Sequence, residues 1–146
     1  MNSFTQEAQS IMNKRFGCDR LISIATTLDN IPYVRAVNAV YHEGCFYIIT
    51  HAQSSKMKQI EQNPIVAVCG EWFTGHGIAE NRGYVLTEQN KEFYQTLRAS
   101  FESWIDNGHV DDSDMNTIIL CIHMKTGVLY SNGTRYDIDF TNIELS

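Results

Sequence analysis

Two apolar segments separated by only a short turn constrain this chain more than anything else in it. Tyr33-Val34-Arg35-Ala36-Val37-Asn38-Ala39-Val40-Tyr41 alternates along its length, His42-Glu43-Gly44 reads as a turn, and Phe46-Tyr47-Ile48-Ile49-Thr50 is an apolar strand. Strands joined this tightly pair antiparallel, because a parallel crossover needs a dozen or more residues. The polar loop His51-Ala52-Gln53-Ser54-Ser55-Lys56 follows. It leads into a helical pattern through Met57, Ile60 and Glu61 that stops at Asn63-Pro64.

The rest of the chain extends this pattern. Ser3 to Phe16 reads as a helix, with Ser3 and Gln6 as a capping box and Ala8, Ile11, Met12 and Phe16 on one face. Leu21–Leu28 is a strand with Ile22, Ile24, Thr26 and Leu28 on one side, and Asp29-Asn30-Ile31-Pro32 turns it. Ile65–Trp72 and Gly77–Thr87 form a further strand pair. Thr87 then caps a helix from Glu88 to about Ile105, with Phe93, Leu97, Phe101 and Trp104 or Ile105 at helical spacing. An acidic loop, Asp106–Asn116, precedes the apolar strand Thr117–Met124. Lys125-Thr126-Gly127 turns into Val128–Ser131, and a hairpin at Ser131-Asn132-Gly133 leads to the last strand, Arg135–Phe140. Short strands joined by turns, with two or three helices, predict a mainly β domain with helices (α+β). The expected architecture is an antiparallel barrel of six or seven strands over residues 1–146.

Composition narrows the function. The net charge of −6 argues against a general nucleic-acid binder and against an anionic membrane surface. No apolar run approaches the roughly 20 residues that cross a bilayer. Met1-Asn2-Ser3-Phe4-Thr5 lacks the basic and apolar regions of a signal peptide. The four cysteines are scattered without a CxxC pair. Cys45, Cys69 and Cys121 fall in predicted strands and read as small core residues, and free thiols suggest a reducing, cytoplasmic setting.

The chemistry concentrates after the second central strand. Pairing of the two strands brings Arg35 toward Thr50 and the serine loop, so that one anion can meet Arg35, Thr50, Ser54, Ser55 and Lys56. The unpaired N–H groups and positive dipole end of the following helix favour the same anion. The plainer alternative makes Ser54 an ordinary N-cap and Lys56 a solvated lysine. Arg35 weighs against it, because a charge inside a strand needs a partner or solvent. Other chemistry finds less support. Asp112, Asp114 and Asn116 alternate like the start of a calcium loop, but Thr117 replaces its glycine and His123 its bidentate glutamate. Cys121 and His123 share a strand face, yet no spaced ligand pair completes a metal site. No nucleophile elbow is present.

The run Val34-Arg35-Ala36-Val37, Tyr47-Ile48-Ile49-Thr50, Ser54-Ser55-Lys56 and Gln59-Ile60-Glu61-Gln62-Asn63-Pro64-Ile65-Val66-Ala67-Val68 resembles the pyridoxamine-phosphate-oxidase-like, FMN-binding split-barrel superfamily. Gly77-Ile78-Ala79 is similar to a motif that follows one strand later. The resemblance covers most of residues 20–140. It implies FMN as cofactor, with Arg35, Ser54, Ser55 and Lys56 on its 5′-phosphate. Backbone of Arg35, Ala36, Val37, Asn38, Ile49 and Thr50 would line the flavin ring, and Trp72 would lie beside it. Longer members carry a second basic residue where this chain has Ser55. Trp104 fits a helix core, and His51 matches no motif position.

The resemblance further implies an oxidoreductase acting on a small-molecule redox substrate. It also implies a homodimer with the cofactor at the interface, to which Tyr130, Arg135 and Tyr136 of a second chain are candidates to contribute. A non-catalytic flavin, deazaflavin or haem-binding protein is the alternative, as is a protein whose anion pocket is vestigial. The unbroken run Ile118-Ile119-Leu120-Cys121-Ile122 suits a strand buried on both faces. Its outer face would meet either a partner or the helix Glu88–Ile105 of its own chain.

Overall fold

The computed structural model describes residues 1–146. The elements are β1 (Ser3–Phe4), α1 (Gln6–Phe16), β2 (Arg20–Leu28), β3 (Ile31–His42), β4 (Cys45–His51), α2 (Ser55–Gln62), β5 (Ile65–Gly70), β6 (Phe73–Tyr84), α3 (Lys91–Ser100), β7 (Thr117–Ser131) and β8 (Thr134–Ile143). Six strands close a barrel in the order β7-β4-β3-β2-β5-β6, with β6 returning to β7. The β-strands β8 and β1 extend the sheet beyond β7, and the β1–β8 pair is parallel. The expected antiparallel barrel with helical decoration is therefore the fold.

β7 makes the closure possible by changing partners along its 15 residues. Its first half, Thr117–His123, pairs with β4; its second half, Thr126–Ser131, pairs with β8; β6 runs along its other side throughout. Lys125 is bulged out between the two halves, since Gly77 pairs with Met124 and His76 with Thr126. The expected turn at Lys125-Thr126-Gly127 is thus a bend in one continuous strand. Glycine on β6 lets the strands approach there: a Cβ at Gly77 would stand 2.7 Å from the His123 carbonyl oxygen.

Two cores flank the barrel wall. Ile22, Ile24, Phe46, Ile48, Val66, Val68, Leu120 and Ile122 point inward and are closed off by Met12 and Phe16 of α1 and by Met57 and Ile60 of α2. On the outer face of β4 and β7, Ile49 and Ile119 pack under Tyr94, Leu97, Phe101 and Ile105. The run Ile118–Ile122 is thus buried on both faces, and its own chain supplies the outer cover. That observation removes the reason for seating a partner on this strand.

Three local expectations are corrected. Thr5, not Ser3, caps α1 and accepts from the Ala8 N–H at 3.2 Å, because Ser3 and Phe4 are taken into β1. α3 is shorter than Glu88–Ile105: Thr87 offers only its carbonyl to the Lys91 N–H, and Phe101 to Ile105 continue as turns. Of the cysteines read as core, Cys121 is buried but lies on the outward row of β7. Cys45 is half-buried, and Cys69 is exposed on β5.

Candidate functional site

β3 and β4 begin as partners and then separate. They pair only over Val40↔Tyr47, Tyr41↔Phe46 and His42↔Cys45. From Ala39 back to Ile31, β3 pairs with β2 alone. From Ile48 to His51, β4 pairs with β7 alone. The barrel is therefore split between these strands, and the backbone of Arg35 to Asn38 borders the gap on one side, Ile49 and Thr50 on the other. α2 begins directly after β4 and delivers its first turn to this end of the barrel.

Two cations meet there. Lys56 Nζ donates to Thr50 Oγ1 at 2.5 Å and to Ser54 Oγ at 3.5 Å. Arg35 Nη1 donates to Thr26 Oγ1 at 2.7 Å and to the Ile24 carbonyl at 3.4 Å, and its Nη2 donates to Gln59 Oε1 at 3.3 Å. Thr26 Oγ1 itself donates to Gln59 Oε1 at 2.5 Å. Ser54 also caps α2, accepting from the Met57 N–H. No carboxylate pairs with either cation; the ion pairs of the molecule all lie elsewhere. Burial, and after it the charge of Arg35, holds the Lys56 ammonium below its usual range. Burial likewise lowers Arg35. Each cation sits in a place that penalises it, which is the electrostatic condition of an anion site.

The structure brings Arg35, Thr50, Ser54 and Lys56 together. Ser55 starts α2 with its side chain exposed and makes no side-chain hydrogen bond to the others. Ala36 is exposed and Val37 packs against the inner core. Asn38 donates to Asp19, which also accepts from Trp104 Nε1. Ile49 is committed to the core under α3. Of these four, only the backbone is free to serve the gap. His51 is held at the surface by Asp114 at 3.1 Å.

Trp72 is not brought to this cluster. It occupies the turn between β5 and β6, 70% exposed, with φ of 52°, and its ring stands 6.4 Å from that of Tyr130. Thr50 pairs with Ile118 and Phe73 with Leu129, so the two ends are separated by roughly 35 Å of β7. Arg135 stacks on the same Tyr130 ring and pairs with Asp137 at 2.9 Å, while Tyr136 donates to Glu7 at 2.6 Å. Trp72, Tyr130 and Arg135 thus form one patch at the other end of β7.

Thr26 and Gln59 were not among the expected site residues. Both left a signal. Thr26 is the polar member of the inward row Ile22, Ile24, Thr26, and Gln59 follows Lys56 by three residues, on the same face of α2.

No family model matches the chain, and no curated protein matches it in sequence. Solved structures do. General stress protein 26 from Bacillus anthracis str. Sterne superposes with a TM-score of 0.68 at 18% identity, covering 90% of this chain and 99% of that one. An FAD-binding protein from Mesorhizobium loti gives 0.66 at 16% identity over 81% and 90%. A NimC/NimA family protein from Clostridium acetobutylicum gives 0.64 at 20% identity over 92% and 95%. With its six-stranded closure and its gap between β3 and β4, the chain has the split-barrel fold of the pyridoxamine-phosphate-oxidase-like proteins.

Proposed function

We propose that this chain is an FMN-binding oxidoreductase whose cofactor phosphate is held by Arg35, Lys56, Thr50 and Ser54. One observation carries the reading: two partly buried cations, unpaired by any carboxylate, stand at the end of the gap between β3 and β4. A terminal phosphate monoester matches this pair in charge and offers several acceptor oxygens. The residues therefore fit the group. Thr26 and Gln59 fix the guanidinium, and the exposed backbone edges of β3 and β4 can hydrogen-bond the polar rim of a planar ring. The bound flavin would supply hydride or electron transfer, and the protein would bind it, orient it and limit access by water. Similarity to an FAD-binding protein supports a flavin; the single pair of cations favours the mononucleotide.

The reading includes a homodimer, supported by a bare face of the barrel. Outward positions on β2, β3, β5 and the first half of β6 form the ladder Leu21, Ser23, Ala25, Val34, Ala36, Ile65, Ala67, Cys69 and Ile78, in which His76 is the one acidic or basic side chain before Glu80. Leu21, Val34 and Ile65 are 66%, 70% and 58% exposed. Val34 and Ala36 flank Arg35 in sequence, so a second copy seated here lies beside the gap. The patch of Trp72, Tyr130 and Arg135 can then serve only a site of the other copy.

Quenching of flavin fluorescence tests the reading. FMN should bind more tightly than riboflavin, which lacks the phosphate, and more tightly than FAD. Equal affinity for FMN and riboflavin would remove the assigned phosphate role.

A further inference from the structure

On the opposite side of the barrel, three soft ligands converge. Cys45 on β4 and Cys121 and His123 on β7 all lie on the outward-facing row of the β4–β7 ladder. Their ligand atoms lie within 4.8 Å of one another. Cys45 Sγ is 3.5 Å from His123 Nδ1, and Cys121 Sγ is 3.6 Å from Nε2. Glu80, on the neighbouring β6, places Oε1 2.8 Å from Nε2. Sequence spacing hid this group, because its third ligand comes from a strand some eighty residues earlier.

We propose that Cys45, Cys121 and His123 bind a thiolate-preferring cation of the Zn²⁺ class. A carboxylate holding one ring nitrogen of a histidine is the usual arrangement behind a metal-bound imidazole. Here Glu80 accepts from the Nε2–H and leaves Nδ1, the nitrogen facing Cys45, as ligand. In a tetrahedral site with bonds of about 2.0–2.3 Å, sulfur and nitrogen ligands stand roughly 3.5–3.8 Å apart. The Cys45 Sγ–Nδ1 separation of 3.5 Å matches this directly, while Cys121 Sγ, now 3.6 Å from Nε2, must turn toward Nδ1. Two sulfurs and one imidazole select Zn²⁺ or Cu⁺ over Mg²⁺ or Ca²⁺.

The register argues against the other use of two neighbouring thiols. Cys45 pairs with His123 and Cys121 with Tyr47, so the cysteines are diagonal across the ladder. Diagonal residues stand about 7–8 Å apart, too far for a relaxed disulfide. Binding of a cation displaces the thiol protons, which leave to solvent. Three protein ligands leave a fourth position. A cleft of about 590 Å³ reaches Cys45 and His123 but not Cys121.

Cobalt titration of the chelator-treated, reduced protein tests the site. One Co²⁺ per chain should bind, with an intense thiolate-to-cobalt charge-transfer band and the visible bands of a tetrahedral ion, and Zn²⁺ should displace it. Cys45→Ser, a change at a half-buried position, should abolish or sharply reduce the charge-transfer band. Cys69→Ser, on the opposite face, should leave it intact. Glu80→Gln should keep the band but weaken affinity about 10–100-fold. No charge-transfer band in the parent protein, a band that survives Cys45→Ser unchanged, or a band lost in Cys69→Ser would overturn the assignment.

Discussion

The two outer faces of this barrel are both apolar, and only one is covered. Over β4 and β7, α3 and the turns after it bury Ile49 and Ile119 beneath Leu97, Phe101 and Ile105. Over β2, β3 and β5, nothing in the chain covers Leu21, Val34 and Ile65. The difference separates two uses of apolar surface. One is spent on the stability of the monomer; the other is left where a second copy would find it, next to the gap that holds Arg35.

Substitutions should divide the faces in the same way. Phe101→Ala, beneath which no solvent reaches, should cost about 3–5 kcal/mol in urea unfolding. A loss under 1 kcal/mol would mean that α3 is not part of the folded core. Val34→Glu should cost the monomer no more than about 0.5 kcal/mol, since its side chain is already solvated. Light scattering should nonetheless show the mass fall from twice 16.7 kDa to 16.7 kDa. A parent protein that is already monomeric with FMN bound would end the shared-site reading.

The site between the faces gives predictions of intermediate size. Lys56→Ala should weaken FMN binding by about 1.5–3 kcal/mol, the range of a charge-assisted hydrogen bond, with little loss of apo stability. Arg35→Ala should weaken it similarly and also cost the apo protein about 1–3 kcal/mol, because Thr26 and Gln59 lose the guanidinium that joins them. The two losses should not add if one phosphate uses both cations. pH should expose the strain on Lys56. Folding disfavours its protonated form, so the cost is present below its folded pKa and is relieved as pH rises through that value. Lys56→Met should therefore raise the melting temperature of the apo protein at neutral pH, and the gain should shrink in alkali. A lower melting temperature would make Lys56 a structural residue.

Much of this was legible in the sequence because it was local. The hairpin around His42-Glu43-Gly44, the cap at Ser54 and the meeting of Thr50 with Lys56 depend on residues close in sequence or on one strand pairing. The gap between β3 and β4 was not legible, since alternation continues unbroken through Val34 and Val37 where pairing stops. The cover of Ile119 by α3 was one of two options, and only packing decided between them. Thr26 and Gln59 carry only a weak signal because each also fits an ordinary role, in a strand and on a helix. The cluster of Cys45 with Cys121 and His123 depends on the register of β4 against β7, which no spacing within either strand encodes.

The phosphate role of Lys56 is the centre of the account, and one ratio tests it. The affinity for FMN relative to riboflavin should be measured in the parent protein and in Lys56→Ala under identical salt. The account predicts a preference of roughly 10–100-fold in the parent, corresponding to about 1.5–3 kcal/mol, and most of that preference gone in the variant. A preference that survives Lys56→Ala unchanged would place the phosphate elsewhere and contradict the account.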